Sequence, residues 1–405
     1  MLVLRRRVMT HPAHWKLELA VRGARLDPSA ARLGAGDTPR PLELVLPGDV
    51  RVDVSIDERR TADSPFALLA NGRRHFLVRR DAGGAESAPV EIRPVPRPAF
   101  YERRTSRGTP MGRVATVRGS HLLVHPSTAC GFSVQGAPCR FCVEGARVPA
   151  DREAVPVADV LEVVRAAFDE GAAELVYFNT SHYESEDGGV AFLAPYVEAV
   201  RRHFDTLIAA QVHPPRTTRW VDQTYALGID ALSYNLEIFD ADALGRHCIG
   251  RARYIGRERY LEALAHAAKV FPSGTVWTDL VLGLEPADST IAGIDALSAM
   301  GVVPVAAIAR GEYPAPAAAE ATPVLAHLYR AVKRRGINMG WVRDLALGIT
   351  PLEARHFAGD GARLAVTVQQ LTRWRLGALA ARGLARFRRR LRVRRVSDSF
   401  DAAHL

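Results

Sequence analysis

Val276-Trp277-Thr278-Asp279-Leu280-Val281-Leu282-Gly283 is an apolar run that closes on a glycine. A helical pattern follows over 290–300, and a second apolar run occupies 302–308. This strand–helix–strand unit is the reading that decides the fold, because a short connection of this kind joins parallel strands. Working outward, the same texture repeats through the middle of the chain. Strand-like runs occur at 121–124, 174–179, 206–211, 231–237, 276–283 and 302–308, each closing on polar or glycine-containing residues. Helical patterns fall between them at 157–170, 192–204, 257–270 and 290–300. Six strands alternating with helices predict parallel βα units, either a closed or partial TIM-like barrel or an open doubly wound sheet.

Residues 1–115 read differently. Val50, Val52, Val54 and Ile56 alternate with Arg51, Asp53, Ser55 and Asp57, the period of a half-buried strand. Leu42, Leu44 and Leu46 lead through Pro47-Gly48-Asp49 into that strand, so a hairpin is expected. Further short strands are expected at 75–79 and 90–93, and the Pro- and Arg-rich stretch 94–110 reads as a linker. The expected organisation is a β-rich accessory domain with linker over 1–115, a βα barrel over 116–350, and a helical extension over 351–405.

Of 405 residues, 48% are apolar, enough for a sizeable core. No apolar run is long enough to span a bilayer, and Arg5, Arg6 and Arg7 are not followed by an apolar stretch, so neither an integral membrane protein nor a secreted one is expected. Cytoplasmic localisation is the expectation. The net charge of +10 is unevenly placed. Residues 361–405 hold 11 Arg, no Lys and two acids, a net +9, which leaves +1 for everything before them. The near-neutral body is not a nucleic-acid-gripping surface. In the tail, Leu376, Leu379, Leu384, Phe387 and Leu391 fall on one helical face and the arginines mostly opposite. That basic amphipathic helix either docks on an anionic membrane surface, an RNA or an acidic partner, or packs its apolar face on the body.

The chain has four cysteines, and three of them form Cys130-Gly-Phe-Ser-Val-Gln-Gly-Ala-Pro-Cys139-Arg-Phe-Cys142, a C-x8-C-x2-C loop after the first barrel strand. In a reducing compartment, clustered cysteines read as metal ligands before disulfides. Three thiolates on one loop can hold three irons of a [4Fe–4S] cube and leave the fourth iron open to a chelating small molecule. The spacing also fits a zinc or closed iron–sulfur staple, with Cys248 or His125 as fourth ligand.

This loop resembles the cluster loop of the radical S-adenosylmethionine (SAM) enzymes, in a variant spacing. Most members have C-x3-C-x2-C with an aromatic before the last cysteine, the place held here by Phe141, which would pack by the adenine. Ser233-Tyr234-Asn235-Leu236-Glu237 is similar to the biotin-synthase-like branch, in which an Asn and an acid hold the SAM ribose; on a continuous strand, Asn235 and Glu237 would face one way. Leu282-Gly283-Leu284-Glu285-Pro286 resembles the Gly-x-x-Glu segment near the adenine, implicating Gly283 and Glu285. Arg253 is favoured over Arg257 as the clamp on the SAM carboxylate. The usual Gly-Gly-Glu after the second strand is missing. Asn179 and Thr180 stand in its place, either substituting for it or capping the next helix. The resemblance covers roughly 120–310.

What the resemblance implies is an enzyme with a [4Fe–4S] cluster on Cys130, Cys139 and Cys142, a bound S-adenosyl-L-methionine, and a reductant partner such as flavodoxin or ferredoxin. Reductive cleavage of SAM to a 5′-deoxyadenosyl radical would then allow hydrogen abstraction from a small-molecule or lipid-like substrate. RNA or peptide modification is the alternative within the enzyme class, and a non-catalytic zinc- or iron–sulfur-stapled binding protein is the alternative outside it. Cys248, after the fourth strand, is a candidate catalytic hydrogen donor or a small buried residue. One spare cysteine argues against a second, auxiliary cluster. His182, Tyr183, Glu184, His213 and Glu312-Tyr313 follow the second, third and sixth strands and are either pocket-lining or solvated loop residues.

Overall fold

A computed structural model of the chain describes residues 12–34, 41–80, 84–127, 129–142, 154–308, 316–340, 342 and 348–359. The Arg-rich tail, expected to be helical, and Glu312-Tyr313 lie outside the described residues.

Two sheets organise the molecule. The first is built from β1 (Arg25–Leu26), β2 (Leu42–Leu46), β3 (Val50–Val54), β4 (Phe66–Asn71), β5 (Arg74–Arg79) and β6 (Val90–Pro94), in the order β1-β4-β5-β6-β2-β3. The expected hairpin is present: β2 and β3 pair antiparallel with Leu46 opposite Val50. Its turn places Gly48 at φ +78° and Asp49 at φ +60°, left-handed conformations that Gly and Asp tolerate best. The valines of β3 are buried, and so is Asp53, whose position in the alternation predicted exposure. Arg118, from the other sheet, pairs with it, so the polar face of β3 meets the barrel rather than water. The sequence reading missed β4, which lacks strict alternation, and the helix Pro12–Arg22.

The second sheet has seven strands in the order β13-β12-β11-β10-β9-β8-β7. They are β7 (Ala115–Arg118), β8 (His121–Val124), β9 (Leu175–Asn179), β10 (Ile208–Gln211), β11 (Ala231–Ser233), β12 (Val276–Leu282) and β13 (Val303–Ile308). β7 is an antiparallel edge on β8, and β8 to β13 are parallel and adjacent in chain order. Chain-order adjacency with right-handed crossovers keeps the helices on one side, so the sheet curls instead of being doubly wound. The curl is measurable. The rings of Tyr177 on β9 and Trp277 on β12 lie 5.8 Å apart, whereas three flat strand spacings would be about 14 Å. β13 and β7 form the two ends of this ladder, so the barrel is partial.

Helices Val157–Asp169, Val190–His203, Arg257–Val270 and Ala287–Ala299 cover the outside, at positions the periodicity located to within a few residues. A fully buried ion pair ties the N-terminal helix to this body: Lys16 Nζ donates to both carboxylate oxygens of Glu353, at 2.8 and 3.0 Å. Glu353 is also the far half of a capping box with Thr350, which fixes its position for the lysine. Among the described residues, no helix is long and apolar enough to cross a membrane.

Candidate active site at the carboxyl rim of the barrel

A parallel sheet sends the end of every strand to the same rim, so residues far apart in sequence converge there. The cysteine loop follows β8, Asn179 ends β9 and Thr180 follows it, and His213 follows β10. Asn235 and Glu237 follow β11, while Gly283 and Glu285 follow β12.

Cys130 precedes a single helical turn, Gly131–Val134, and its carbonyl accepts from Val134 N at 3.0 Å. Cys142 N donates to Cys139 O at 3.1 Å, closing the second turn of the loop. The three loop cysteines are partly exposed, and all four cysteines are outside any disulfide. Phe141 and Cys139 pack against the barrel core.

The loop is held by a segment more than 100 residues away. Cys139 and Cys248 form an isolated antiparallel bridge, flanked by Arg140 N to His247 O at 2.8 Å and Gly250 N to Ala137 O at 3.1 Å. Gly250 is required for this contact, since a Cβ there would meet the Phe132 ring at 2.4 Å. Hydrogen bonding with the Cys248 thiol, together with the charge of Arg251, outweighs burial and holds the Cys139 thiol down at about 6. The Cys248 thiol is driven up by the same bond and by its burial.

Arg251 is the hub. It is 7% exposed, and its guanidinium donates to Glu237 Oε1 at 3.1 Å, to Tyr260 Oη at 3.1 Å and to the carbonyl of Asn235. Tyr260 Oη lies 2.9 Å from His213 Nδ1, and burial, with Arg251 nearby, pushes that imidazole well down, so it is neutral. His213 stands edge-on to Phe132, while His182 stacks on the same ring at 4.5 Å. The residue favoured from sequence, Arg253, is exposed, with its guanidinium 5.4 Å above the Tyr254 ring. Arg257 binds the carbonyl of Phe239 at 2.6 Å.

Asn235 and Glu237 do not sit as alternate residues of a continuous strand. The ladder of β11 stops at Ser233, Leu236 N bonds to the Thr278 hydroxyl at 2.8 Å, and pairing resumes at Glu237 opposite Leu280. Glu237 takes φ +71°, a conformation costing an L-residue about 1 kcal/mol. The break directs Asn235 Nδ2 to Asp279 Oδ2 at 2.9 Å and Glu237 to Arg251. Burial raises both acids, Glu237 to about 8 against the pull of Arg251, and Asp279 to about 6 against the bond from Asn235.

Asp279 was not singled out from sequence, although an acid in the middle of an apolar parallel strand is itself a signal. It faces the barrel lumen with Tyr177, whose hydroxyl donates to Gln211 Oε1 at 2.8 Å. Asn179 is register partner to Gln211 on the same face. Thr180 donates its backbone N–H to Gln211 O at 3.0 Å, while its buried Oγ1 has no hydrogen-bond partner among the described residues. Gly283 has φ +86°, and a Cβ there would approach Pro316 Cδ to 3.0 Å. Glu285 turns away from the lumen. Its Oε2 accepts from Asp240 N at 2.6 Å and its Oε1 from the Thr290 hydroxyl at 3.0 Å, so it braces the loop after β11.

Compared with known proteins, no family model matches the chain. It is 25% identical over 222 residues to bacteriochlorophyllide c C-7(1)-hydroxylase of Chlorobaculum limnaeum. That match covers 50% of this chain and 55% of the relative, so it spans about half the relative's length. A radical SAM methyltransferase from Sphaerobacter thermophilus is 14% identical with a TM-score of 0.39, covering 69% of this chain and 77% of that one. The FeFe-hydrogenase maturase HydG of Carboxydothermus hydrogenoformans is 14% identical with a TM-score of 0.42, covering 53% and 52%. Structural neighbours of the chain include radical S-adenosylmethionine enzymes.

Three thiolates on one loop suit the ligation of a [4Fe–4S] cube, in which each would bond a different iron.

Proposed function

We propose that the chain is a radical SAM enzyme acting on a small-molecule or lipid-like substrate bound in the barrel lumen. Cys130, Cys139 and Cys142 would hold a [4Fe–4S] cluster, and the rim beside them would hold SAM. Cluster and SAM together supply reductive cleavage of SAM and hydrogen abstraction from an unreactive carbon. The observation that carries this reading is the docking of the cysteine loop on the segment 247–251, which sets Cys139, Arg251, Glu237 and Asn235 side by side.

This chain's residues then have separable tasks. Asn235 and Glu237 offer acceptors to a ribose diol, and the unpartnered Thr180 hydroxyl offers one more polar contact at the rim. Asn179 completes the edge where the usual motif is missing. Gly283 makes the left-handed turn after β12 and lets Pro316 approach the backbone, and Phe141 would pack near an adenine bound beside that turn. Glu285 positions the loop after β11 and does not touch the ligand. The lumen walls, Tyr177 and Trp277 with Gln211 and Asp279 between them, combine apolar surface with a few polar anchors, the make-up of a small-molecule site. Because the curated relative is a hydroxylase named for a tetrapyrrole, bacteriochlorophyllide c is a reasoned first compound to assay.

The test is anaerobic reconstitution with iron and sulfide. The expected result is about four irons per chain, an electron paramagnetic resonance signal of the reduced protein that changes on adding SAM, and release of 5′-deoxyadenosine under a strong reductant. Bound zinc with no SAM cleavage would sink the reading.

A further inference from the structure

Cys139 and Cys248 are directly opposed in their backbone bridge. The adjacent bond from Arg140 N to His247 O makes theirs a non-hydrogen-bonded pair. Such pairs have the closer Cα separation, about 4.5 Å, inside the range of about 4.4–6.8 Å across which a disulfide closes without backbone movement. The pairing is rigid as well as close. Gly250 N is bonded to Ala137 O, and a Cβ on Gly250 would press to within 2.6 Å of that oxygen. The two thiols differ in access: Cys139 is partly exposed, while Cys248 is fully buried behind it.

We propose that Cys139 and Cys248 form an oxidative cross-link site, closed in the metal-free protein by low-molecular-weight disulfides such as oxidised glutathione. The accessible Cys139 thiolate attacks one glutathione sulfur, forming a mixed disulfide and releasing one glutathione thiolate. Cys248, held opposite, then attacks the Cys139 sulfur of that mixed disulfide and releases the second glutathione. Two protein thiols are oxidised by two electrons, one glutathione disulfide is reduced to two thiols, and the two protons pass to the glutathione products. The cross-linked Cys139 has no thiolate left for an iron. The pair therefore gates cluster loading, a consequence that rests on the function proposed above.

The experiment uses the full chain, stripped of metal with a chelator, reduced, and exposed to oxidised glutathione without oxygen. Titratable thiols should fall from four to two, and peptide mapping should join the Cys139 and Cys248 peptides. Pairing of Cys139 with Cys130 or Cys142 would overturn the proposal, as would a lasting glutathione adduct on Cys139 or no loss of thiols. In Cys248→Ala the adduct on Cys139 should persist, and in Cys142→Ala the 139–248 cross-link should still form. The second variant keeps the test decisive if the first fails to fold. Iron–sulfide uptake, read by visible absorbance, should be blocked in the cross-linked protein and restored by dithiothreitol. Uptake equal to that of the reduced protein would overturn the gating. A protein that cross-links as described but takes up no cluster even when reduced would instead refute the proposed function.

Discussion

In the N-terminal sheet, Arg74 and Glu91 pair on the surface with side chains 65% and 53% exposed, while at the barrel rim Arg251 and Glu237 pair at 9% and 11%. The geometry of the first pair is the better of the two, with two bonds of 2.9 and 2.6 Å against one of 3.1 Å between Arg251 and Glu237. Geometry is therefore not what separates them. A surface pair gives up little hydration and contributes little. A buried pair loses hydration worth several kcal/mol per ion, and is tolerated only when further hydrogen bonds satisfy both partners. Arg251 has those bonds, donated to Tyr260 and to the Asn235 carbonyl, and its neighbour Glu237 is still raised to about 8. The buried pair is therefore costly to hold, and it lies at the carboxyl rim beside three cysteines.

The comparison can be broken most sharply at the cysteines. Cys139→Ala should abolish both iron uptake and SAM cleavage, measured by iron assay and by 5′-deoxyadenosine formation; retention of a full cluster would remove the loop from the site. Next is Arg251→Met. It leaves a buried Glu237 without its hydrogen-bond donor and should cost about 1–3 kcal/mol in denaturant unfolding. A loss below 1 kcal/mol would mean that water reaches the rim and that the pair behaves like the surface one.

A third test uses pH. Asp279 sits at about 6 against its ordinary 3.8, so the folded protein holds that proton more tightly than the unfolded chain. Its contribution is most favourable below 3.8 and is lost as pH rises through about 6. Asp279→Asn should remove that slope and raise stability above pH 6 by about 3 kcal/mol, as read from unfolding at pH 4 and pH 7.5. An unchanged slope would place the carboxylate in ordinary solvent. Smallest of all, Arg74→Ala should leave the melting temperature within measurement scatter. A clear drop would show that surface pairing matters in the N-terminal sheet after all.

The six parallel strands were legible because each must bury both faces, which writes a short apolar run into the sequence. The helices between them were legible from their period. β4 was not, since Phe66-Ala-Leu-Leu-Ala-Asn alternates in burial but not in residue type. The cysteine triad was visible as a candidate from spacing because one loop carries all three thiols. Asn235 and Glu237 were singled out by resemblance, and the strand argument for their common facing failed, because the Thr278 hydroxyl replaces a ladder bond and Glu237 turns left-handed. Arg251 was not singled out from sequence, whereas Arg253, two residues on, was. Both lie in one short helix, Ile249–Tyr254, and nothing local says which of them faces the loop.

Local periodicity and spacing by themselves determined the parallel βα architecture, the hairpin of the N-terminal sheet and the three thiols of one loop. These features depend on residues close together in the chain, and short-range physics records them. Only the tertiary structure decided that the sheet curls far enough to bring Tyr177 against Trp277, that Asp53 is covered by Arg118, and that Cys248 and Arg251 press on the cysteine loop. Each of these depends on a pairing across tens to hundreds of residues. Such a pairing is set by how whole elements pack, and no single stretch of sequence carries it.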